Sequence, residues 1–312
     1  DWAKQPGTLK YNVPAVLRFP AAIDAPQLAG ALAAVIDAHP YLKTHLAMLG
    51  QTLQQVRGDD KPVSLPVYSV SEEELRQVRE TFVKPFNLFA GPLFRAAVYQ
   101  TPQSVCLMID VHHLIFDGGS LDILLKDLER VYNGEKVEPD TFTAYELALR
   151  EAELTNSPAY RQAKAYFSQK LAACDGPTMI PADRQGDEAN GNLKEQTAVI
   201  EKEEVRNFCK TVGVTPSNLF LAGVSYVAAR FSGSETVLLS TLSNGRGDVN
   251  HQNIVGMLVK TLPLVLTVDS ARPVVEFVRQ TQDAMFETLE NDSYPFTRIA
   301  EEYHFSPQIM YA

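Results

Sequence analysis

Cysteine is scarce. Cys106, Cys174 and Cys209 are the only three in 312 residues, widely spaced and without a C-x-x-C pair. That pattern argues against a disulfide framework and reads as reduced thiols in a cytoplasmic protein. No apolar run reaches the ~18 residues of a membrane-spanning helix, and the first residues lack the charged-then-apolar pattern of a secretory signal. Low-complexity runs and short repeats are missing as well. So are a G-x-x-x-x-G-K-S/T loop, a G-x-G-x-x-G turn, a G-x-S-x-G elbow and an H-E-x-x-H pair. Nucleotide, dinucleotide, serine-hydrolase and zinc-protease chemistry therefore lose their usual support. Positive charge is short too: 28 Lys and Arg face 38 Asp and Glu, a net charge of -10, which argues against nucleic acid or an anionic membrane as a main partner.

With 45% of its residues hydrophobic, the chain can bury a large core, and its length suggests two domains of roughly 150 residues each. It opens on Asp1 rather than Met and is expected to be a piece of something longer. Residue patterning predicts strands at 13–19, 52–56, 93–100 and 105–111, and helices at 25–38, 71–82, 143–153 and 158–173. A polar stretch rich in Pro, Gly and Asp, 174–192, reads as a boundary. Beyond it, strands are expected at 196–200, 236–242 and 256–268, and helices at 203–212, 216–232 and 274–290; residues 243–248 are expected to form a flexible loop. Both halves read as α/β layers around their own cores.

The chain is organised around 105–134. Val105-Cys106-Leu107-Met108-Ile109-Asp110-Val111 reads as a buried strand, while Leu121, Leu124, Leu125 and Leu128 repeat at helical spacing. Between them His112-His113-Leu114-Ile115-Phe116-Asp117-Gly118-Gly119-Ser120 must be a strand-to-helix turn, with Ser120 as expected N-cap and Asn133-Gly134 as the stop. Adjacent residues on a strand point to opposite faces, so His112 and His113 cannot offer the same edge to one metal ion. The natural reading sends one imidazole inward and the other to a cleft, where it can exchange a proton near neutral pH, and the plainer alternative is two satisfied core histidines.

These residues carry a resemblance. His112-His113-Leu114-Ile115-Phe116-Asp117-Gly118 matches the H-H-x-x-x-D-G signature of nonribosomal peptide synthetase condensation domains, a branch of the chloramphenicol acetyltransferase-like superfamily. Further matches follow in order: Tyr11-Asn12-Val13-Pro14; His39-Pro40-Tyr41-Leu42-Lys43-Thr44, similar to R-H-E-x-L-R-T; Pro85-Phe86-Asn87-Leu88 with Gly91-Pro92-Leu93; and Ile180-Pro181-Ala182-Asp183-Arg184, similar to L-P-x-D-R. Val255 to Leu264 looks like V-G-x-F-V-N-T-L-P-L, and Asn291 to Phe296 like H-Q-D-Y-P-F. The chain departs from the pattern at Lys260 (usually Asn) and Thr297 (usually Glu), and lacks the family's first motif upstream of Tyr11. The family pattern also continues past Ala312, so the second lobe is expected to be incomplete.

The resemblance implies an α/β (α+β two-layer) fold of two acetyltransferase-like lobes, Asp1 to Cys174 and Asp175 to Ala312, in a pseudo-dimeric V with a central tunnel. It implies amide-bond formation between a donor acyl or peptidyl thioester and an acceptor aminoacyl thioester. Both would arrive on phosphopantetheine arms of upstream and downstream peptidyl carrier proteins, with adenylation domains as neighbours. No cofactor or metal is expected to be bound by the domain itself. His113 is the residue expected to handle or position the attacking amine, the backbone N–H near Gly118 to steady the oxyanion, and Asp117 to pair with Arg246 of the second lobe; His112 is expected to be packed inside. A free-standing acyltransferase using CoA or a single carrier is the alternative. An epimerisation domain is disfavoured because Thr241-Leu242-Ser243-Asn244 lacks the acidic residue that branch carries, and a heterocyclisation domain because His112 is intact.

Overall fold

The computed structural model describes residues 7–59, 61–155, 157–181, 195–304 and 308–312. Two compact units emerge: 1–153 together with 244–259, and 154–243 together with 260–312. The sequence suggested a single break at 174/175. The segment 244–259 belongs with the first unit because Ile254, Val255 and Leu258 are buried in that unit's core. Of the boundary stretch, Ala182, Asp183 and Arg184 lie outside the described residues.

The first unit is built on β6 (Ser104–His112), whose nine residues are all buried. This is why its sequence reads as an unbroken apolar run rather than an alternation. It pairs antiparallel with β1 (Asn12–Pro20) and with β5 (Phe94–Gln100), and β4 (Val67–Ser69) adds in parallel to β5. One face, with Leu107, Ile109 and Val111, packs on α1 (Ala25–Ala38) and α3 (Gly118–Tyr132); the other, with Cys106 and Met108, meets Leu75 of α2 (Glu72–Thr81). A separate hairpin, β2 (His45–Leu49) with β3 (Thr52–Val56), and α4 (Ala144–Leu154) complete the unit.

The second unit centres on β7 (Thr236–Ser243), flanked by β8 (Lys260–Thr267) and the two-residue β9 (Met310–Tyr311). Val237, Leu239, Leu264 and Leu266 pack with α6 (Lys202–Val212), α7 (Pro216–Ser232) and α8 (Val274–Glu290). Leu238 and Leu262 instead join α5 (Pro158–Ala172) and α9 (Phe296–Tyr303).

Two of the expected strands come out differently. Residues 196–200 form no strand; they are exposed throughout, Val199 to 93%, so their apolar side chains have no sheet to pack on. The strand expected at 256–268 begins only at Lys260, because the N–H groups of Gly256 and Leu258 are given to side chains of the first unit instead of to a neighbouring strand.

Below α1 sits a buried ionic knot. His39 caps the helix, and its ring lies between two carboxylates, Nδ1 at 2.7 Å from Asp140 and Nε2 at 3.0 Å from Asp127 of α3; Arg130 holds the other oxygen of Asp127 at 3.0 Å. Burial opposes charge on the ring, but the two carboxylates outweigh it and raise the His39 pKa. A raised folded-state pKa means stability fully present below the ~6.5 of an unfolded histidine and lost as pH rises through the folded value. Urea unfolding across pH 6 to 9 should therefore show a loss of stability on the alkaline side that the variant His39→Gln lacks.

Candidate functional site

The turn that follows β6 is fixed from both ends. The His113 N–H donates to the Tyr11 carbonyl at 2.7 Å, extending the ladder to β1, and the Ile115 N–H closes the turn on the His112 carbonyl at 3.0 Å. Ile115 and Phe116 then drop into the core.

Their environments differ as strand geometry requires. His112 is buried beside the rings of Tyr11 and Phe86, and its Nδ1 accepts the Leu114 N–H at 3.1 Å, so its proton sits on Nε2. Burial, helped by the neighbouring His113, lowers its pKa and keeps it neutral. His113 is half-buried, and its Nδ1 lies 2.8 Å from the Phe116 carbonyl. A carbonyl can only accept, so Nδ1 carries the proton and Nε2 is left as a base.

Asp117, not Ser120, caps α3. Its carboxylate takes the Ser120 N–H at 2.8 Å, and Ser120 is the third residue of the helix. The Ser120 hydroxyl does something else: it accepts the Gly256 N–H at 2.9 Å and lies 2.8 Å from both Asp117 Oδ1 and the Gly256 carbonyl, to one of which it donates. Sequence reasoning missed this bridge, because its partner lies 136 residues away.

Arg246 grips Asp117 with both terminal nitrogens, Nη1 to Oδ2 at 2.9 Å and Nη2 to Oδ1 at 2.8 Å, while the Leu258 N–H adds a further bond to Oδ2 at 2.9 Å. The partnership was expected between lobes; it lies inside the first unit, since 244–259 packs there. Nor is 243–248 a free loop, as Arg246 also donates to the Ile254 and Asn244 carbonyls. Burial alone would raise the Asp117 pKa, yet the guanidinium and the backbone donors of Leu258 and Ser120 hold it below the ordinary carboxylate range.

Two glycines are needed for this. A Cβ on Gly119 would come within 2.6 Å of Arg246 Nη1, and Gly245 has φ +66° with its Cβ position 2.1 Å from the Leu258 carbonyl oxygen. A side chain at Gly119 would have to push the Arg246 guanidinium aside, and one at Gly245 would meet the strap's own backbone in a left-handed conformation.

The structure therefore places His112, His113, Asp117 and Gly118 on one turn and lays Arg246 against it. It does not make a His–Asp dyad: both carboxylate oxygens of Asp117 are taken by Ser120, Arg246 and Leu258, and the Nδ1 of His113 faces a carbonyl. The first N–H groups of a helix have no partner within it, and Asp117 caps the third, leaving those of Gly118 and Gly119 at a helix N-terminus that favours negative charge. Among the described residues no cluster of three His, Cys, Asp or Glu side chains is arranged to hold a metal ion.

The chain is similar to known proteins over nearly all of its length. A family model described as Condensation domain matches residues 4–306. The chain is 26% identical over 302 residues to tyrocidine synthase 2 of Brevibacillus parabrevis, and 28% identical over 304 residues to gramicidin S synthase 2 of Aneurinibacillus migulanus. Each match covers 94% of this chain but only 8% and 7% of those proteins. Among solved structures, it is similar to the first condensation domain of the calcium-dependent antibiotic synthetase in complex with a substrate analogue (TM-score 0.79, 17% identity, 99% of this chain and 76% of that one). It is similar also to the X-domain from teicoplanin biosynthesis (TM-score 0.77, 20% identity, 95% and 69%). At these identities the structures speak for the fold.

Asp117→Ala and Arg246→Ala should each lower unfolding free energy by about 3–5 kcal/mol, since each leaves a buried charge alone. The double variant should cost less than the sum, and denaturant titration of all four proteins measures the difference. The lowered Asp117 pKa gives stability that is present above the ~3.9 of an unfolded aspartate and lost as pH falls through the folded value. Acid unfolding should accordingly be steeper for the native protein than for Asp117→Asn.

Proposed function

The chain belongs to the condensation-domain family, and we propose that it forms an amide bond between a donor acyl or peptidyl thioester and an acceptor aminoacyl thioester. The observation that carries this reading is the His113 ring, locked through Nδ1 on the Phe116 carbonyl so that Nε2 is the free, basic edge. In the proposed step the acceptor amine attacks the thioester carbonyl, a C–N bond forms and the C–S bond breaks. His113 Nε2 takes a proton from the amine nitrogen or holds that nitrogen in line, and the proton ends on the departing thiolate. Negative charge on the carbonyl oxygen is met by the N–H groups of Gly118 and Gly119.

The thioesters are proposed to arrive on phosphopantetheine arms of upstream and downstream peptidyl carrier proteins, loaded by neighbouring adenylation domains, in the cytoplasm. Tethering both reactants makes the step nearly unimolecular, which can be worth ~7–11 kcal/mol. The domain needs no cofactor of its own for this chemistry. Asp117 and Arg246 are assigned to holding the turn, and His112 to packing.

The fold by itself does not select the function, since it also matches an X-domain that has been solved in a complex with OxyB. The test is a dipeptide assay with two loaded carrier proteins. His113→Ala should cut the rate by roughly 10²–10⁴-fold without changing thermal unfolding, whereas His112→Ala should reduce soluble yield. An active His113→Ala protein would remove the histidine from the chemistry. An absolute need for free CoA in place of a carrier would favour the single-carrier or CoA-dependent acyltransferase.

A further inference from the structure

The first unit contains a cavity of about 750 Å³ that no residue of the His112–Ser120 turn lines. Its origin is an interrupted sheet edge. The Leu93 carbonyl takes the His112 N–H at 2.9 Å, and the Thr101 N–H donates to the Ser104 carbonyl at 2.8 Å, which sets the alternation between them. Arg95, Ala97 and Tyr99 turn their backbone N–H and C=O groups toward β6; Phe94, Ala96, Val98 and Gln100 turn theirs to the opposite edge.

On that edge the Val98 N–H reaches the Pro66 carbonyl at 3.0 Å and β4 pairs from Val67 onward. The pairing stops there, because Pro66 has no N–H to give the Ala96 carbonyl. Among the described residues no backbone group pairs with the outward N–H and C=O of Phe94 and Ala96. Both residues line the cavity, together with Val63, Leu65, Phe89 and Pro92.

The walls combine apolar side chains with Lys43, Lys61, Arg95 and Asp59. Each cation among them is held by a carboxylate: Lys43 by Asp37 at 2.6 Å, Lys61 by Asp59 at 2.9 Å and Arg95 by Asp110 at 3.1 Å. An anionic ligand meets cations that already face carboxylates, whereas a neutral chain with its own amides finds two donors and two acceptors in strand register. The volume falls within the ~300–1,000 Å³ typical of ligand sites.

We propose that this edge is a docking site for a short extended peptide with uncharged side chains, supplied by a partner polypeptide and added to the sheet beside Phe94 and Ala96. Main-chain bonds to the strand give such an addition its affinity, and the apolar walls select its side chains. The site is independent of the proposed reaction, although the strand that receives the peptide also holds the His112 N–H through Leu93.

The test uses the isotope-labelled 312-residue protein and a blocked pentapeptide of alternating valine and threonine, with a fully N-methylated copy and an all-glutamate copy as controls. The amide signals of Phe94 and Ala96 should shift on titration and their hydrogen exchange should slow, with neither control competing. Ala96→Pro, which removes one outward N–H that the β5–β6 ladder does not use, should weaken binding by roughly 3- to 10-fold. Should that variant fail to fold, Ser64→Trp, at an exposed position lining the cavity, should block binding without loss of thermal stability. No shift at these amides, equal binding of the N-methylated peptide, preference for the acidic one, or unchanged binding by Ser64→Trp would each overturn the proposal.

Discussion

One carboxylate holds the site together. Asp117 has no solvent exposure, a position an aspartate can occupy as an anion only if its oxygens are met by donors of matching strength. They are met by a two-pronged guanidinium and by backbone N–H groups from both its own helix and the 244–259 strap. Helix capping and strap anchoring thus share a single group. Had the residue been asparagine, it could still cap α3, but it would leave the Arg246 charge without a counter-ion in a place where its side chain is only 8% exposed.

The two histidines show how much a strand's alternation can do with identical side chains. Chemistry is separated here by one backbone step: the inward ring serves as an acceptor for the turn's own N–H and is kept neutral by burial, while the outward ring uses a carbonyl to fix its tautomer and keeps a basic nitrogen in hand. A carboxylate behind His113 would have fixed the same tautomer and drawn the ring toward its charged form. The carbonyl fixes the tautomer without a neighbouring charge.

The local parts of this arrangement were legible in the sequence, and the parts that depend on distant pairing were legible only through resemblance. The run 105–111 announced a buried strand, and the leucines after it announced α3, because both patterns follow from residue periodicity. Ser120 looked like the cap for sound reasons of propensity, yet the first helical turn starts earlier, and the serine is drawn to Gly256 instead. Residues 256–259 read as strand because apolar content does not reveal where N–H groups are spent; here they go to Ser120 and Asp117. Gly119 could be seen as a turn glycine, but the close approach of the Arg246 guanidinium to it exists only in three dimensions.

The same pairing has a consequence for the proposed reaction. An amine attacks a thioester only after losing its proton, and an uncompensated carboxylate near the turn would stabilise the ammonium form and hold that proton in place. Asp117 supplies the negative charge needed to hold Arg246 and the strap, and Arg246 cancels it at hydrogen-bond distance. His113, with its proton on the carbonyl side, adds no charge of its own until it accepts one. In the proposed reaction the turn would therefore offer His113 Nε2 and two backbone donors on a scaffold whose buried Asp117–Arg246 charges are already matched.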